Sequence, residues 1–229
     1  YVNTDGSIYI AWCWKESATA GFDIVNYSGT GSNNTFSHSL SAVPQFVLPK
    51  NRAREAWHCY HHKQATAVSS GQIVRGAPET DHLSFNGTGA ASDDATMWND
   101  TAPTSSVISV GSADGPNQSG EDIIYYLWAP IQGFSKFGTY IGNGDTDGTF
   151  VNTGFRSAFV IVKNVEDTGN NWFGFSYNTA GFNGETNHMV MNEDEADVTN
   201  SYIDIYSNGF KATTTDGGLN TDGSVYVYM

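Results

Sequence analysis

The hydrophobic positions of this chain follow the two-residue period of an extended backbone. Three segments show this most clearly: 7–14, 123–128 and 159–162. In the first, Trp12 and Trp14 fall on one side of a strand and Cys13 on the other, and both sides are apolar or aromatic. Such segments are typical of inner strands that are covered on both faces. Because no window carries the 3.6-residue stripe of a long helix, the pattern predicts an all-β fold.

The chain also repeats itself. The octet NTDGSIYI at 3–10 returns as NTDGSVYV at 220–227, and the stretches 21–36 and 44–51 align with 133–150 and 157–164. The matched positions are Gly21-Phe22 with Gly133-Phe134, Tyr27 with Tyr140, Gly29 and Gly31 with Gly142 and Gly144, Phe36 with Phe150, and Trp57 with Trp172. This internal likeness indicates a duplicated structural unit, and the matched Phe, Tyr and Trp side chains are expected to fill its interior.

We therefore predict two tandem β-sandwiches of the jelly-roll or lectin-like type, one over 21–132 and one over 133–229. A barrel is less favoured. Residues 1–20 form either the closing strand of a preceding unit or a strand that fills an open sheet edge. The chain begins with Tyr1, which favours a processed product or a fragment of a longer array.

Composition and charge narrow the function classes. The chain has 25 Gly, 13 Phe, 12 Tyr and 6 Trp, which favours short packed strands and argues against disorder. Its formal net charge is −14, with 24 acidic and 10 basic residues, so no basic face is expected and a nucleic-acid partner is excluded. Because the apolar stretches are short, no membrane insertion is expected either.

Three longer segments carry a specific likeness to a known family: 98–111, 133–164 and 207–229. With their run of Gly-Phe-Ser-Lys-Phe-Gly, Gly-Asn-Gly, Asp-Gly and Gly-Phe, the chain resembles a repeat family of uncharacterised β-rich domains. These domains occur in structural proteins of tailed, often marine, bacteriophages. The likeness covers nearly the whole chain and is weakest over 61–89. It implies a virion-associated protein, and it implies no catalytic residues.

Trp98 is the ligand-binding candidate. Exposed tryptophan stacks on sugar rings or anchors protein interfaces. Trp57 and Trp172 recur at matched places and are expected in the core, whereas Trp98 lies in the turn-like stretch MWNDTAPTS and is expected near the surface.

Asp145 and Asp147 are the metal candidates. They lie in the glycine-rich loop GNGDTDGTF, which could offer oxygen ligands to calcium. The matching loop at 29–36 contains no acid, so a turn is the favoured interpretation and no cofactor is expected otherwise.

Other chemical groups give weaker signals. His58, His61 and His62 lie close in sequence, but a strand separates His58 from His62 by too much for one metal ion. Cys13 and Cys59 are expected to be free buried thiols. The acidic run 192–197 is expected to be a solvated loop with a short helical turn near 193–198. No nucleophile or nucleotide-binding motif occurs.

These observations leave three functional hypotheses. The first is a non-enzymatic virion structural protein, either a tail-fibre or receptor-binding component or a capsid-surface decoration. It would contact other virion proteins, further copies of itself, and a host glycan or protein. The second is a secreted carbohydrate-binding module or adhesin. The third and least favoured is a glycan-degrading enzyme that uses Glu193 and Glu195.

Overall fold

The computed structural model describes residues 5–6, 11–54, 56–69, 72–177, 183 and 187–229. Regular structure in this part of the chain is nearly all β-strand, which confirms the all-β prediction. The helices are short: α1 spans Ala95–Trp98 and α2 spans Asp114–Asn117, with 3-10 turns at Ala18–Ala20 and Pro78–Thr80. The expected helical turn near 193–198 is wrong, because that stretch is irregular up to a two-residue strand at Val198–Thr199.

The strands of the first half are β1 Phe22–Ser28, β2 Asn34–Ser37, β3 Phe46–Asn51, β4 His58–His61, β5 Thr66–Ser69, β6 Gln72–Arg75, β7 Asp81–Ser84, β8 Ser92–Asp93, β9 Val107–Val110 and β10 Asp122–Trp128. Those of the second half are β11 Gly138–Ile141, β12 Phe150–Asn152, β13 Phe159–Asn164, β14 Phe173–Ser176, β15 Asn187–Val190, β16 Val198–Thr199, β17 Ile203–Tyr206, β18 Gly209–Ala212 and β19 Val225–Tyr228.

Each half builds a six-stranded antiparallel sheet, and the two sheets have the same strand order. The first runs β1-β10-β3-β4-β7-β8 and the second runs β11-β19-β13-β14-β15-β16. Each is accompanied by a small sheet, β2-β9 in the first half and β12-β18-β17 in the second. The hairpin β5-β6 is an addition to the first half. The internal likeness of the sequence is therefore also a likeness of topology.

The sheets stack in four layers around three apolar clusters. Tyr125 and Leu127 of β10 point into a first core between the first six-stranded sheet and β2-β9. Tyr226 and Tyr228 of β19 point into a second core between the second six-stranded sheet and the three-stranded sheet. The remaining faces of the two six-stranded sheets meet in a third cluster, which we call the inter-sheet cluster. Its buried members are Phe22, Phe46, Leu48, Cys59, Leu83, Trp128, Phe137, Ile161, Val165, Trp172, Val225 and Val227.

The inter-sheet cluster makes the two halves one packed body. Each large apolar side chain buried there contributes roughly 1.5–3 kcal/mol relative to solvent. Trp172 adds a polar link, since its Nε1 donates to the carbonyl oxygen of Ser84 at 2.9 Å. The prediction of two tandem units did not include this shared layer, although strands that are apolar on both faces require one.

Matched buried asparagines explain the matched glycine turns. Asn117 accepts a hydrogen bond from the backbone N–H of Thr30 at 2.7 Å and donates to the carbonyl oxygen of Ser32 at 2.7 Å. Asn220 does the same in the second half, with Asn143 N–H at 3.0 Å and the carbonyl oxygen of Asp145 at 2.7 Å. Each amide thus ties a Gly-x-Gly turn to the segment before the closing strand.

The opening octet lies largely outside the described residues. Residues 11–16 form no strand, and regular pairing begins with a single bridge between Ser17 and Phe22.

Both cysteines are free as predicted, but only Cys59 is buried, whereas Cys13 is exposed. No helix in the part of the chain that the structure describes is long and apolar enough to cross a membrane.

Candidate functional site

Trp98 is not at the surface. Asp94 caps the start of α1 by accepting from the N–H of Thr96 at 2.9 Å, and Asn99 ends the helix in the left-handed region at φ 53°. This single turn directs the Trp98 ring into the first core, where it is 2% exposed and its Nε1 donates to the carbonyl oxygen of Asp81 at 2.9 Å. The expected surface position is wrong, and stacking on a glycan loses its physical basis at this residue.

Asp145 and Asp147 are exposed in their loop, and both carboxylates have protein partners. Asp145 Oδ1 accepts from the backbone N–H of Asp147 at 2.9 Å, which is the geometry of an Asx turn. Asp147 forms an ion pair with Lys211. Among the described residues, no group of three His, Cys, Asp or Glu side chains is placed to hold a metal ion. Calcium binding at this loop stays a prediction, and the turn accounts for what the two side chains do here.

The histidines occupy packing positions. His58 lies edge-to-face against His82, with ring centroids 5.2 Å apart, and burial together with the positive charge of His82 lowers the pKa of His58 to about 4. The His61 ring donates through Nε2 to the carbonyl oxygen of Tyr228 at 3.1 Å, because its Nδ1 accepts from the N–H of Lys63 at 3.1 Å. Burial lowers the pKa of His61 to about 3. Both rings are therefore neutral at physiological pH.

Lys163 is a buried cation beside the inter-sheet cluster. Its Nζ donates to the carbonyl oxygens of Asn164 at 2.8 Å and Asn170 at 3.0 Å. Burial lowers the pKa of Lys163 to about 8, while the nearby Cys59 and Asp167 act in the opposite direction. Two carbonyl partners indicate a structural role for this ammonium group.

An aromatic groove lies against the inter-sheet cluster. It has a volume of about 560 Å³, and its lining includes Trp12, Trp14, Phe22, Trp128 and Phe159. Trp14 is 41% exposed and lies edge-to-face against Trp128, with centroids 5.9 Å apart. Such a lining suits apolar contact and offers few polar groups for orienting a reactive ligand.

A smaller cavity of about 310 Å³ shares Trp12 and Trp14 with the groove. It is lined on its other side by Phe134 and Lys136. Phe134 is 62% exposed, although its matched partner Phe22 is buried in the inter-sheet cluster. The expectation that matched aromatics fill the interior is therefore wrong for this pair.

A second matched pair also divides between inside and outside. Phe36 packs inward against Tyr125, with centroids 4.4 Å apart, whereas Phe150 points away from the core and is 45% exposed. In the second half Val151 takes the inward position opposite Phe210. The sequence alignment matches Phe36 with Phe150, whereas in the structure Val151 takes the inward position that corresponds to Phe36. This one-residue shift matters because neighbouring residues of a strand point to opposite faces of the sheet.

Phe150 belongs to a face that sequence reasoning missed. On the solvent side of the three-stranded sheet, the strand register places six residues in two rows of three: Phe150, Lys211 and Asp204, then Asn152, Gly209 and Tyr206. We call this the outer aromatic face. Tyr206 is 38% exposed, and its ring meets that of Phe150 at 5.8 Å and 76°. The signal in the sequence was one aromatic residue at an outward position in each outer strand of this sheet, Phe150 in β12 and Tyr206 in β17.

The glycan-degrading hypothesis depends on the acidic run at 192–197. Glu193, Asp194 and Glu195 are all exposed in an irregular loop. Active carboxylates need an apolar or strongly hydrogen-bonded setting that shifts their pKa values, and these side chains lie at the solvent boundary.

Comparison with known proteins identifies the family. A family described as "Domain of unknown function (DUF7483)" matches residues 1–229. The chain belongs to this family. No curated protein and no solved structure matches the chain.

Proposed function

We propose that this DUF7483 chain is a non-enzymatic structural protein of a virion. It serves at the particle surface, as a tail-fibre or receptor-binding component or as a capsid decoration, and contributes to host attachment or particle stability. The observation that carries this proposal is the inter-sheet cluster, in which apolar residues from two halves of the same strand order pack together. The virion context comes from the resemblance of segments 98–111, 133–164 and 207–229 to phage structural repeats.

The distribution of polar groups supports a scaffold more than a catalyst. General acid–base chemistry needs titratable groups with shifted pKa values that face a cleft. Here the strongly shifted histidines lie in packing positions, and the aromatic groove is lined mainly by apolar side chains. The chain's partners in this proposal are other virion proteins and further copies of itself, and its formal charge of −14 favours solubility of such a crowded assembly.

Immunogold labelling of purified particles tests the proposal. Antibodies raised against the folded chain should decorate intact particles at a repeated position, and peptide mass spectrometry should find the chain after density-gradient purification. Particles that carry neither label nor peptides would contradict a virion role. A lysate of the same host without particles serves as the control for cross-reaction.

A secreted carbohydrate-binding module or adhesin is the second candidate. The exposed Phe150–Tyr206 pair favours it, because exposed aromatic rings on a β-sheet face suit ring-shaped ligands. The two candidates differ in where the chain is found: the secreted module would occur free in culture medium in the absence of particles.

A further inference from the structure

The outer aromatic face carries apolar surface that the core does not use. Phe150 and Tyr206 alternate along their strands with the inward-facing Val151 and Ile205, which are buried in the second core. Among the described residues of the first half, the small sheet β2-β9 carries no such aromatic pair. This sheet has only two strands, and Thr35 precedes the inward Phe36 where Phe150 precedes Val151. The aromatic pair is thus a feature of the second half and not part of the shared architecture.

Gly209 shapes the surface between the two rings. It lies across from Asn152 on one side and Tyr206 on the other, and it is buried. A Cβ added there would come within 2.0 Å of the Val151 carbonyl oxygen and 3.0 Å of Phe150 Cζ. The Phe150 ring therefore leans over bare backbone and meets Tyr206 edge-to-face. Two aromatic surfaces at a steep angle form a shallow corner that is open to solvent.

Polar side chains lie next to the two rings in the strand register. The Tyr206 hydroxyl donates to Asp204 Oδ2 at 3.4 Å, a long and weak bond that a better acceptor or donor can replace. Lys211 lies between Phe150 and Asp204 in the register and forms an ion pair with Asp147. Asn152 is exposed at the other end of β12.

We propose that the outer aromatic face binds neutral hexopyranose glycans, a site that rests on the proposed role in host attachment. The apolar C–H face of a pyranose ring stacks on Phe150 or Tyr206, and its hydroxyls bond to Asp204, Asn152 and Lys211. Aromatic stacking combined with a few oriented polar groups is the usual composition of such a site.

The charges around the outer aromatic face and its small apolar area favour a neutral glycan as the ligand. The carboxylates of Asp147 and Asp204 flank Lys211, and the chain carries a formal charge of −14, so sulfated or sialylated glycans are repelled. A protein partner is disfavoured by area, because the two rings are bounded by charged side chains and do not form the broad apolar centre of a stable protein interface. A single weak site becomes effective when many copies face one cell surface.

Saturation-transfer NMR with the purified chain tests the proposal. The probes are neutral gluco-, galacto- and manno-oligosaccharides, with heparin as the anionic comparator. We expect signal transfer to at least one neutral series and none to heparin. Tyr206→Ala and Phe150→Leu should weaken binding about tenfold. Tyr206→Phe should keep the stacking and lose less affinity.

Two controls distinguish a specific loss of glycan binding from unfolding of the variant and from nonspecific binding to exposed aromatic residues. Phe150→Leu keeps an apolar cover over Gly209 without an aromatic ring, and thermal unfolding of each variant reports whether the fold is intact. Trp14→Ala removes an equally exposed aromatic residue from the aromatic groove and should leave binding unchanged. Absence of binding to every neutral series would overturn the proposal. So would loss of binding in Trp14→Ala alone, which would place the ligand in the groove.

Failure of this site and failure of the virion role are distinguishable. A chain that labels particles but binds no neutral glycan overturns only the glycan site. If the chain binds glycans through Tyr206 but is missing from particles, the glycan site is supported and the secreted module replaces the virion role as the function.

Discussion

At the scale of single residues, buried polar side chains join elements that are far apart in sequence. His61 of the first half donates to the Tyr228 carbonyl oxygen of the second half, and His62 Nε2 lies 3.2 Å from the carbonyl oxygen of Phe137. The Asn117 and Asn220 amides hold the two glycine turns in the same way. Buried polar groups of this kind stabilise a fold only when every partner is in place.

His61 should make stability depend on pH. Its pKa falls from an ordinary 6.5 to about 3 on folding, so the unfolded chain binds more protons between these values. The contribution of His61 is complete above about pH 6.5 and is lost as pH falls toward 3. The upper limit of the slope is about 1.4 kcal/mol per pH unit. We expect His61→Gln to unfold with a shallower pH dependence than the wild type between pH 6.5 and 4.

Urea titrations at several pH values measure this effect. His38→Gln is the matched control, because His38 lies outside the inter-sheet cluster and contacts the carbonyl oxygen of Thr104. Equal slopes for the wild type and His61→Gln would show that His61 is not held neutral in the folded state.

At the scale of elements, the matched glycine turns depend on close backbone approach. A Cβ on Gly29 would lie 2.0 Å from the carbonyl oxygen of Gln118, and one on Gly142 would lie 2.2 Å from that of Thr221. Both glycines also donate backbone hydrogen bonds across the turn, to the carbonyl oxygens of Glu121 and Ser224 at 2.9 Å each.

Alanine at either turn should be strongly destabilising. Gly29→Ala and Gly142→Ala must displace backbone, and we expect each to reduce the free energy of unfolding by about 3 kcal/mol or more. Gly120→Ala is the control: Gly120 has φ +75° with nothing within 4 Å of the added Cβ, so only backbone strain of about 1–2 kcal/mol applies. Urea unfolding should show a larger loss of stability for Gly29→Ala and Gly142→Ala than for Gly120→Ala. Equal losses in all three variants would contradict the steric explanation.

At the scale of the whole molecule, the inter-sheet cluster should couple the two halves. Phe46 of β3 contacts Trp128 of its own sheet at 5.5 Å and belongs to the same cluster as Val225 and Val227 of β19. A residue in such a layer stabilises both sheets at once. The halves are therefore expected to unfold together, although each has its own core.

Phe46→Ala tests this coupling. We expect a loss of about 3–5 kcal/mol and a single transition that moves equally in far-UV circular dichroism and in tryptophan fluorescence. Val43→Ala, at an exposed position just before β3, should change the midpoint little. Two separate transitions in the wild type or the variant would show that the inter-sheet cluster does not couple the halves.

The sequence by itself determined the strand-rich class, the turns and the repeated order of elements. These follow from local rules: a two-residue apolar period, glycine where backbones approach closely, and a motif that occurs twice. The matched Tyr27 and Tyr140 are buried as the repeat predicts, and Cys59 is a buried free thiol. The assignment of units to 21–132 and 133–229 remains a prediction from the repeat.

Only the tertiary structure decided which aromatic residues meet solvent. A hydrophobic residue on a strand has two possible faces, and the layer that covers each face comes from distant parts of the chain. The single helical turn of α1 places Trp98 in the core, although its turn-like sequence predicted a surface position. A one-residue offset places Phe150 at the surface, although its match with Phe36 predicted a core position. The stacking of the two six-stranded sheets and the outer aromatic face were decided in the same way, by long-range packing that no local window of sequence contains.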